Sequence, residues 1–202
     1  MIRERAQTLE DEMLVADATR LDQACRHLLG MVDTVLDLSQ VESGRLELSL
    51  ATFDLMEVLQ ETAATCEPLA SLRGNQLDVK GPAGVECHSD AHRVRQILLN
   101  LVGNAIKFTE NGQVTLKCRV VGPKVLIDVT DTGIGMTTEE LSRVFQPYQQ
   151  ANEGIAAIYG GTGLGLPLSK QLAEALGGAL EVFSTPGQGS CFRLKLPLKL
   201  NS

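Results

Sequence analysis

Three short stretches of this 202-residue chain carry residue types that can do chemistry together. In Asn100-Leu-Val-Gly-Asn104-Ala-Ile-Lys107-Phe108 the asparagines stand four apart, so on a helix they project from one face, and Lys107 follows on the same side. Two carboxamides and an ammonium make a neutral-to-positive patch suited to Mg²⁺ and phosphate oxygens. Such a pair can also be merely solvated, although asparagine is a poor helix former in so apolar a segment. Next comes Asp131-Thr-Gly133-Ile-Gly135-Met, directly after a strand-like run. A carboxylate there can accept a hydrogen bond from an exocyclic amine while the glycines let backbone approach closely. Alone, it is an ordinary Asp-x-Gly turn.

The third stretch is Gly160-Gly161-Thr162-Gly163-Leu164-Gly165-Leu166, which runs into a helical segment. Glycines allow backbone N–H groups to converge, and a helix N-terminus adds partial positive charge, which together make a phosphate cradle. No Gly-Lys-Ser/Thr follows, so it is not a Walker A loop. Leu166 stands where a dinucleotide fingerprint needs its last glycine. The order of asparagine helix, Asp-Gly turn and glycine loop is far more specific than any one of them.

The elements that must position these residues follow from periodicity. Asp90–Phe108 places Val94, Ile97, Leu98, Leu101 and Ala105 on one helical face. Phe53–Ala70 and Leu164–Leu176 also read as helices. Strands are expected at Gln76–Lys80, Val114–Val121 and Val125–Asp131, with a last hairpin of Ala179–Ser184 and Ser190–Leu196. Glu110–Gln113 reads as a hairpin-type turn. Helices and antiparallel hairpins in this order predict an α/β two-layer sandwich, a mixed β-sheet with helices on one face. Ahead of it, Leu14, Leu21, Leu28 and Val35 recur every seven residues, with Ala18, Cys25, Val32 and Ser39 four places behind each. That heptad seam predicts a long N-terminal helix packing in a bundle or dimer, ending near Glu42-Ser43-Gly44.

Composition narrows the function classes. Net charge is −7 and aromatics make up 3% of residues, which argues against a general nucleic-acid binder. Five scattered cysteines without a Cys-x-x-Cys pair suggest neither disulfide framework nor zinc site, so a reducing cytoplasmic setting is expected. No apolar run approaches the roughly 18 residues that cross a bilayer, so no membrane contact is expected of this segment.

Asn100-x3-Asn104-Ala-x-Lys107-Phe108, Asp131-x-Gly133-x-Gly135, Phe145-x-Pro147-Tyr148 and Gly161-Thr-Gly163-Leu-Gly165-Leu resemble the N, G1, F and G2 boxes of sensor histidine kinases. Leu36-Asp37-Leu38-Ser39-x-Val41-Glu42-Ser43-Gly44 resembles the end of their second dimerisation helix. Gly177-Gly178-x-Leu180-x-Val182-x-Ser184-x-Pro186-Gly187-x-Gly189-Ser190 resembles their closing hairpin. The resemblance implies a Bergerat-type ATP-binding fold shared by gyrase, Hsp90, histidine kinases and MutL. It implies residues 1–48 as a partial dimerisation segment and residues 49–202 as the ATP-binding catalytic domain. Asn104 would sit on Mg²⁺, with Asn100, Lys107 and Phe108 near the phosphates. Asp131 would recognise the adenine amine between Gly133 and Gly135, and Gly161, Thr162, Gly163, Leu164 and Gly165 would hold the triphosphate. Expected partners are a response regulator or receiver domain, and a second copy or another histidine kinase through the N-terminal helix.

Two departures from the family pattern matter. No His-Glu/Asp-Leu-Arg-Thr-Pro box is present, and His27, His88 and His92 are the only histidines, so the phosphoacceptor is expected outside this chain. His27 reads as a surface residue of the helix. In the lid that the resemblance implies over roughly Phe145–Gly160, Ala157-Ile158 stand before Tyr159 where the family usually has basic residues. That raises an alternative, a degenerate regulator that dimerises with another histidine kinase. Position 100 is Asn where gyrase-like and chaperone ATPases have a water-activating glutamate, and a carboxamide accepts no proton at neutral pH. Phosphoryl transfer, with ATP and Mg²⁺, is therefore expected over hydrolysis.

Overall fold

The computed structural model describes residues 12–147 and 163–200. It opens with α1 (Glu12–Glu42), a single 31-residue helix. The helix stops where expected: Gly44 takes φ +64, its N–H donates to Val41 O at 3.0 Å, and Arg45 N–H donates to Gln40 O at 2.9 Å. Such bonds satisfy carbonyls that the helix end would otherwise leave open. Then follow β1 (Ala51–Asp54), α2 (Leu55–Leu72), β2 (Gln76–Lys80), β3 (Glu86–Ser89) and α3 (Ala91–Lys107). The remainder is β4 (Gln113–Val121), β5 (Lys124–Asp131), α4 (Thr138–Arg143), α5 (Gly165–Ala175), β6 (Ala179–Thr185) and β7 (Gly189–Pro197).

Five strands form one sheet in the order β2-β4-β5-β7-β6, with β2 parallel to β4 and every other pair antiparallel. The alternating strands turn Val114, Leu116, Ile127, Val129, Leu194 and Leu196 inward, and all are fully buried. Against them pack Leu55 and Leu59 of α2, Ile97, Leu98 and Leu101 of α3, and Leu172 of α5, also fully buried. The outer face is polar. One register row runs Lys117, Asp128, Arg193, Glu181, and Asp128 takes hydrogen bonds from Arg119 at 2.7 Å and Arg193 at 2.6 Å. A two-layer α/β sandwich with a mixed sheet and helices on one face is the fold.

Three details differ from the sequence expectation. A second, two-stranded antiparallel sheet joins β1 to β3. Four residues each are too few to show a period-two pattern, and β3 is held further by a bridge from His88 to Lys199. Phe53 belongs to β1 rather than to α2, and Asp54 caps that helix by accepting from Met56 N–H at 2.8 Å. The turn at Glu110–Gln113 connects α3 to β4 and is no hairpin, with Asn111 at φ +50.

Most of the described heptad seam of α1 is exposed. Leu21, Leu28, Val32 and Val35 are all exposed, together with Leu29 and Leu36, whereas Ala18 and Leu38 are buried. The side chain of His27 lies outside the described residues. Among the described residues no helix is long and apolar enough to cross a membrane.

Candidate functional site

The site grows from the C-terminal half of α3. Asp90 starts this helix by accepting Arg93 N–H at 3.0 Å, and the stripe Val94, Ile97, Leu98, Leu101, Val102, Ala105 and Ile106 is buried on the sheet. That stripe fixes the helix rotation and leaves Asn100, Asn104 and Lys107 along its half-exposed edge. The far end is tied down by the loop after α2. Arg73 donates to Lys107 O at 2.9 Å, and Asn75 Nδ2 donates to Ile106 O at 3.2 Å and Thr109 O at 2.8 Å.

The carboxamides form a relay with α5. Asn104 Nδ2 donates to Asn100 Oδ1 at 3.3 Å, and Asn100 Nδ2 donates to Ser169 Oγ at 2.8 Å. Gly165 makes room for this contact, since a Cβ there would lie 2.3 Å from Asn100 Oδ1. Asn104 Oδ1 accepts no hydrogen bond from the described residues, which leaves the oxygen a divalent cation requires. Among the described residues no cluster of three His, Cys, Asp or Glu is placed to hold a metal. A carboxamide oxygen completed by phosphate oxygens and water suits Mg²⁺ chemically. Burial, and then the nearby Arg73 charge, pushes the Lys107 ammonium below its ordinary pKa, and its Nζ stands 4.9 Å from the Phe108 ring centroid.

Asp131 is the last residue of β5. It is 5% exposed; its Oδ1 accepts from Gly133 N–H at 2.9 Å and Ser190 N–H at 3.2 Å, while no described residue donates to Oδ2. Burial raises its pKa, with the two backbone bonds pulling the other way. Gly133 lies hard against α3, where a Cβ would meet Phe108 O at 2.2 Å, and Ile134 N–H donates to the same oxygen at 3.2 Å. Gly135 has φ +65 and a Cβ there would sit 2.0 Å from Thr185 O. The result is a buried carboxylate with one oxygen fixed and one open, walled by backbone: an arrangement that can hold an exocyclic amine.

At α5, Gly163 takes φ +69, and Leu164 at the N-cap position makes no side-chain cap hydrogen bond. Gly161, Thr162 and the Ala157-Ile158 stretch lie outside the described residues. Contacts thus join Asn104, Asn100 and Gly165 between α3 and α5, and join Lys107, Phe108, Gly133 and Asp131 between α3 and the end of β5, while Gly135 packs on the last hairpin.

Sequence reasoning missed the residues that hold these in place. Ser169 anchors Asn100, Asn75 anchors the α3 end, and Ser184 Oγ accepts Met136 N–H at 2.8 Å while donating to Gly189 O at 2.9 Å. The serines and glycines of the last hairpin were visible as a motif, but nothing in their spacing pointed at Asp131.

Residues 89–200 match the family described as histidine kinase-, DNA gyrase B-, and HSP90-like ATPase. The circadian input-output histidine kinase CikA of Synechococcus elongatus is 42% identical over 175 residues, 85% of this chain and 23% of CikA. The signal transduction histidine-protein kinase BarA of Escherichia coli is 37% identical over 188 residues, 90% of this chain and 20% of BarA. ShkA, solved full-length in complex with AMPPNP, matches with a TM-score of 0.79 and 33% identity, over 92% of this chain and 39% of ShkA. The chain spans between about a fifth and just over a third of the length of these and similar curated relatives. Since the matched residues contain the asparagine face, the Asp131 loop and the glycine turn into α5, the chain belongs to the histidine kinase-, DNA gyrase B- and HSP90-like ATPase family, as a catalytic domain of the sensor histidine kinase type.

Proposed function

We propose that residues 49–202 bind Mg-ATP and pass its γ-phosphoryl group to a histidine outside this chain, with residues 1–48 as a partial dimerisation segment. One observation carries this: Asp131 keeps one carboxylate oxygen without a donor among the described residues, in a loop whose Gly133 lies against Phe108 at the end of the asparagine helix. Asp131 Oδ2 accepts the adenine amine, and Gly133 lets the backbone approach the ring. Asn104 Oδ1 holds Mg²⁺, which when bound neutralises phosphate charge. Asn100, Lys107, Phe108 and the Gly161, Thr162, Gly163, Leu164 and Gly165 segment line the triphosphate. The relay from Asn104 to Ser169 keeps the carboxamides oriented before nucleotide arrives, which is the preorganisation that phosphoryl transfer depends on. The AMPPNP complex of ShkA supports an ATP analogue as ligand.

The partners are a response regulator or receiver domain downstream of the acceptor histidine, and a second kinase chain along α1. Titration calorimetry of Mg-ATP tests the site. Binding in the micromolar range is expected, weakened by about 10- to 150-fold in Asp131→Asn, the worth of a charged hydrogen bond. Absence of binding in the unmodified chain would leave the dimerising regulator as the function.

A further inference from the structure

The Leu36–Gly44 motif does something that nucleotide binding does not explain. Asp37, near the end of α1, reaches across to the first turns of α3. Its Oδ1 accepts from Arg93 Nη1 at 2.9 Å and its Oδ2 accepts from Gln96 Nε2 at 2.7 Å. Arg93 Nη1 also donates to Gln96 Oε1 at 2.9 Å, so the three side chains close on one another. The Arg93 and Asp37 side chains are 15% and 17% exposed, unlike the exposed Arg20–Asp17 pair farther up α1. Neighbouring Leu38 is buried in the core, with Val41 packed against that core. The connecting segment returns to the same place, where Asp90 Oδ2 accepts Ser49 N–H at 2.8 Å. Gln96 stands one helical turn before Asn100.

We propose that Asp37 is a positioning residue: the Asp37–Arg93–Gln96 clamp sets the orientation of the ATP-binding unit on α1. Its hydrogen bonds run among Asp37, Arg93 and Gln96 and include none of Asn100, Asn104 and Asp131. A phosphoryl donor that must reach a histidine on another segment needs a defined orientation at the helix, and needs it separately from nucleotide affinity. A shielded, three-way charged hydrogen-bond set is stronger and more directional than a surface ion pair, so it specifies one docking pose. That consequence for transfer rests on the kinase reading above, but the clamp itself is tested without nucleotide.

The test is a spin-label distance measurement on the full chain. One label sits on exposed Cys25 of α1 and the other on Lys117→Cys of the outer sheet face, with Cys191→Ser to remove the remaining half-exposed thiol. Dilution with unlabelled chain isolates distances within one copy. A narrow distribution is expected for the starting protein and one about twofold or more broader for Asp37→Asn and for Arg93→Gln. The double variant should be no broader than either single one, as partners in one interaction are non-additive. Mg-ATP affinity should stay within about threefold throughout. Unchanged distributions in both variants overturn the proposal, and so does loss of ATP binding in step with broadening. Broadening in a chain that never binds ATP sinks the kinase reading and leaves the clamp standing.

Discussion

Asn100 on α3 and Ser169 on α5 are joined by a 2.8 Å hydrogen bond between carboxamide Nδ2 and hydroxyl oxygen. Ser169 is 2% exposed, so this bond is the contact through which the glycine turn and the asparagine face keep a common geometry. Ser169→Ala removes the acceptor and leaves the Asn100 amide to rotate. A stability loss of about 1 kcal/mol is expected, with Mg-ATP affinity reduced about tenfold, since the carboxamide is no longer preset. Thermal melts with and without Mg-ATP check both. A variant with an unchanged nucleotide-induced shift would show that Asn100 needs no anchor.

Asp131 carries a cost that its substitution should expose. Burial raises its folded pKa above the unfolded value, so the folded state binds more protons between the two. Stability contributed by this group is therefore largest below the unfolded pKa and declines as pH rises through the folded one. Asp131→Asn removes the ionisable group. It should melt higher than the unsubstituted chain at pH 7 without nucleotide, with the gap closing on acidification below the ordinary carboxylate range. ATP affinity should fall over the same acid range, as the acceptor oxygen becomes protonated. Melting curves at several pH values, and titrations beside them, measure this trade. An Asn variant that melts lower at pH 7 would mean that the bonds from Gly133 and Ser190 outweigh desolvation.

The glycines separate into two kinds. At Gly135 the left-handed φ and the Thr185 carbonyl both exclude a side chain. Gly135→Ala should cost about 1–2 kcal/mol for the backbone alone, and abolish measurable ATP binding by displacing the Asp131 loop. Gly103 sits inside α3, and a Cβ there would meet nothing within 4 Å. Gly103→Ala should stabilise by about 0.5–1 kcal/mol through helix propensity. Calorimetric melting distinguishes the two outcomes. Destabilisation at Gly103 would mean that this helix face is covered by a partner.

Legibility followed range along the chain. Asn100, Asn104 and Lys107 share a face because of spacing alone, and the Asp131 glycines announce a close approach that Phe108 O and Thr185 O then fill. The α3 stripe was readable for the same reason. Ser169 was not, because a serine mid-helix has many uses and its partner lies 69 residues away. Asp37 is legible only as part of the helix-end motif Leu36–Gly44, because its partners Arg93 and Gln96 lie 56 and 59 residues on. Strands β1 and β3 were hidden because their pairing is with each other and neither has length enough to show a period.

The exposed seam of α1 makes a last demand. Leu21, Leu28, Val32 and Val35 present apolar area at heptad spacing, and such a stripe in water favours association. A two-fold dimer buries each residue twice. Burying Leu28 is worth roughly 1.5–3 kcal/mol per copy. Leu28→Glu should therefore weaken self-association by about 3–6 kcal/mol, or roughly two to four orders of magnitude in Kd. Light scattering over a concentration series should show a dimer for the starting chain and a monomer for the variant. Mg-ATP titrations should be unchanged, because Leu28 lies on α1 and the proposed nucleotide residues lie on α3, α5 and the end of β5. A starting chain that stays monomeric at all concentrations would assign the seam to a different kinase chain, and mixing experiments with such a chain would then show the heterodimer.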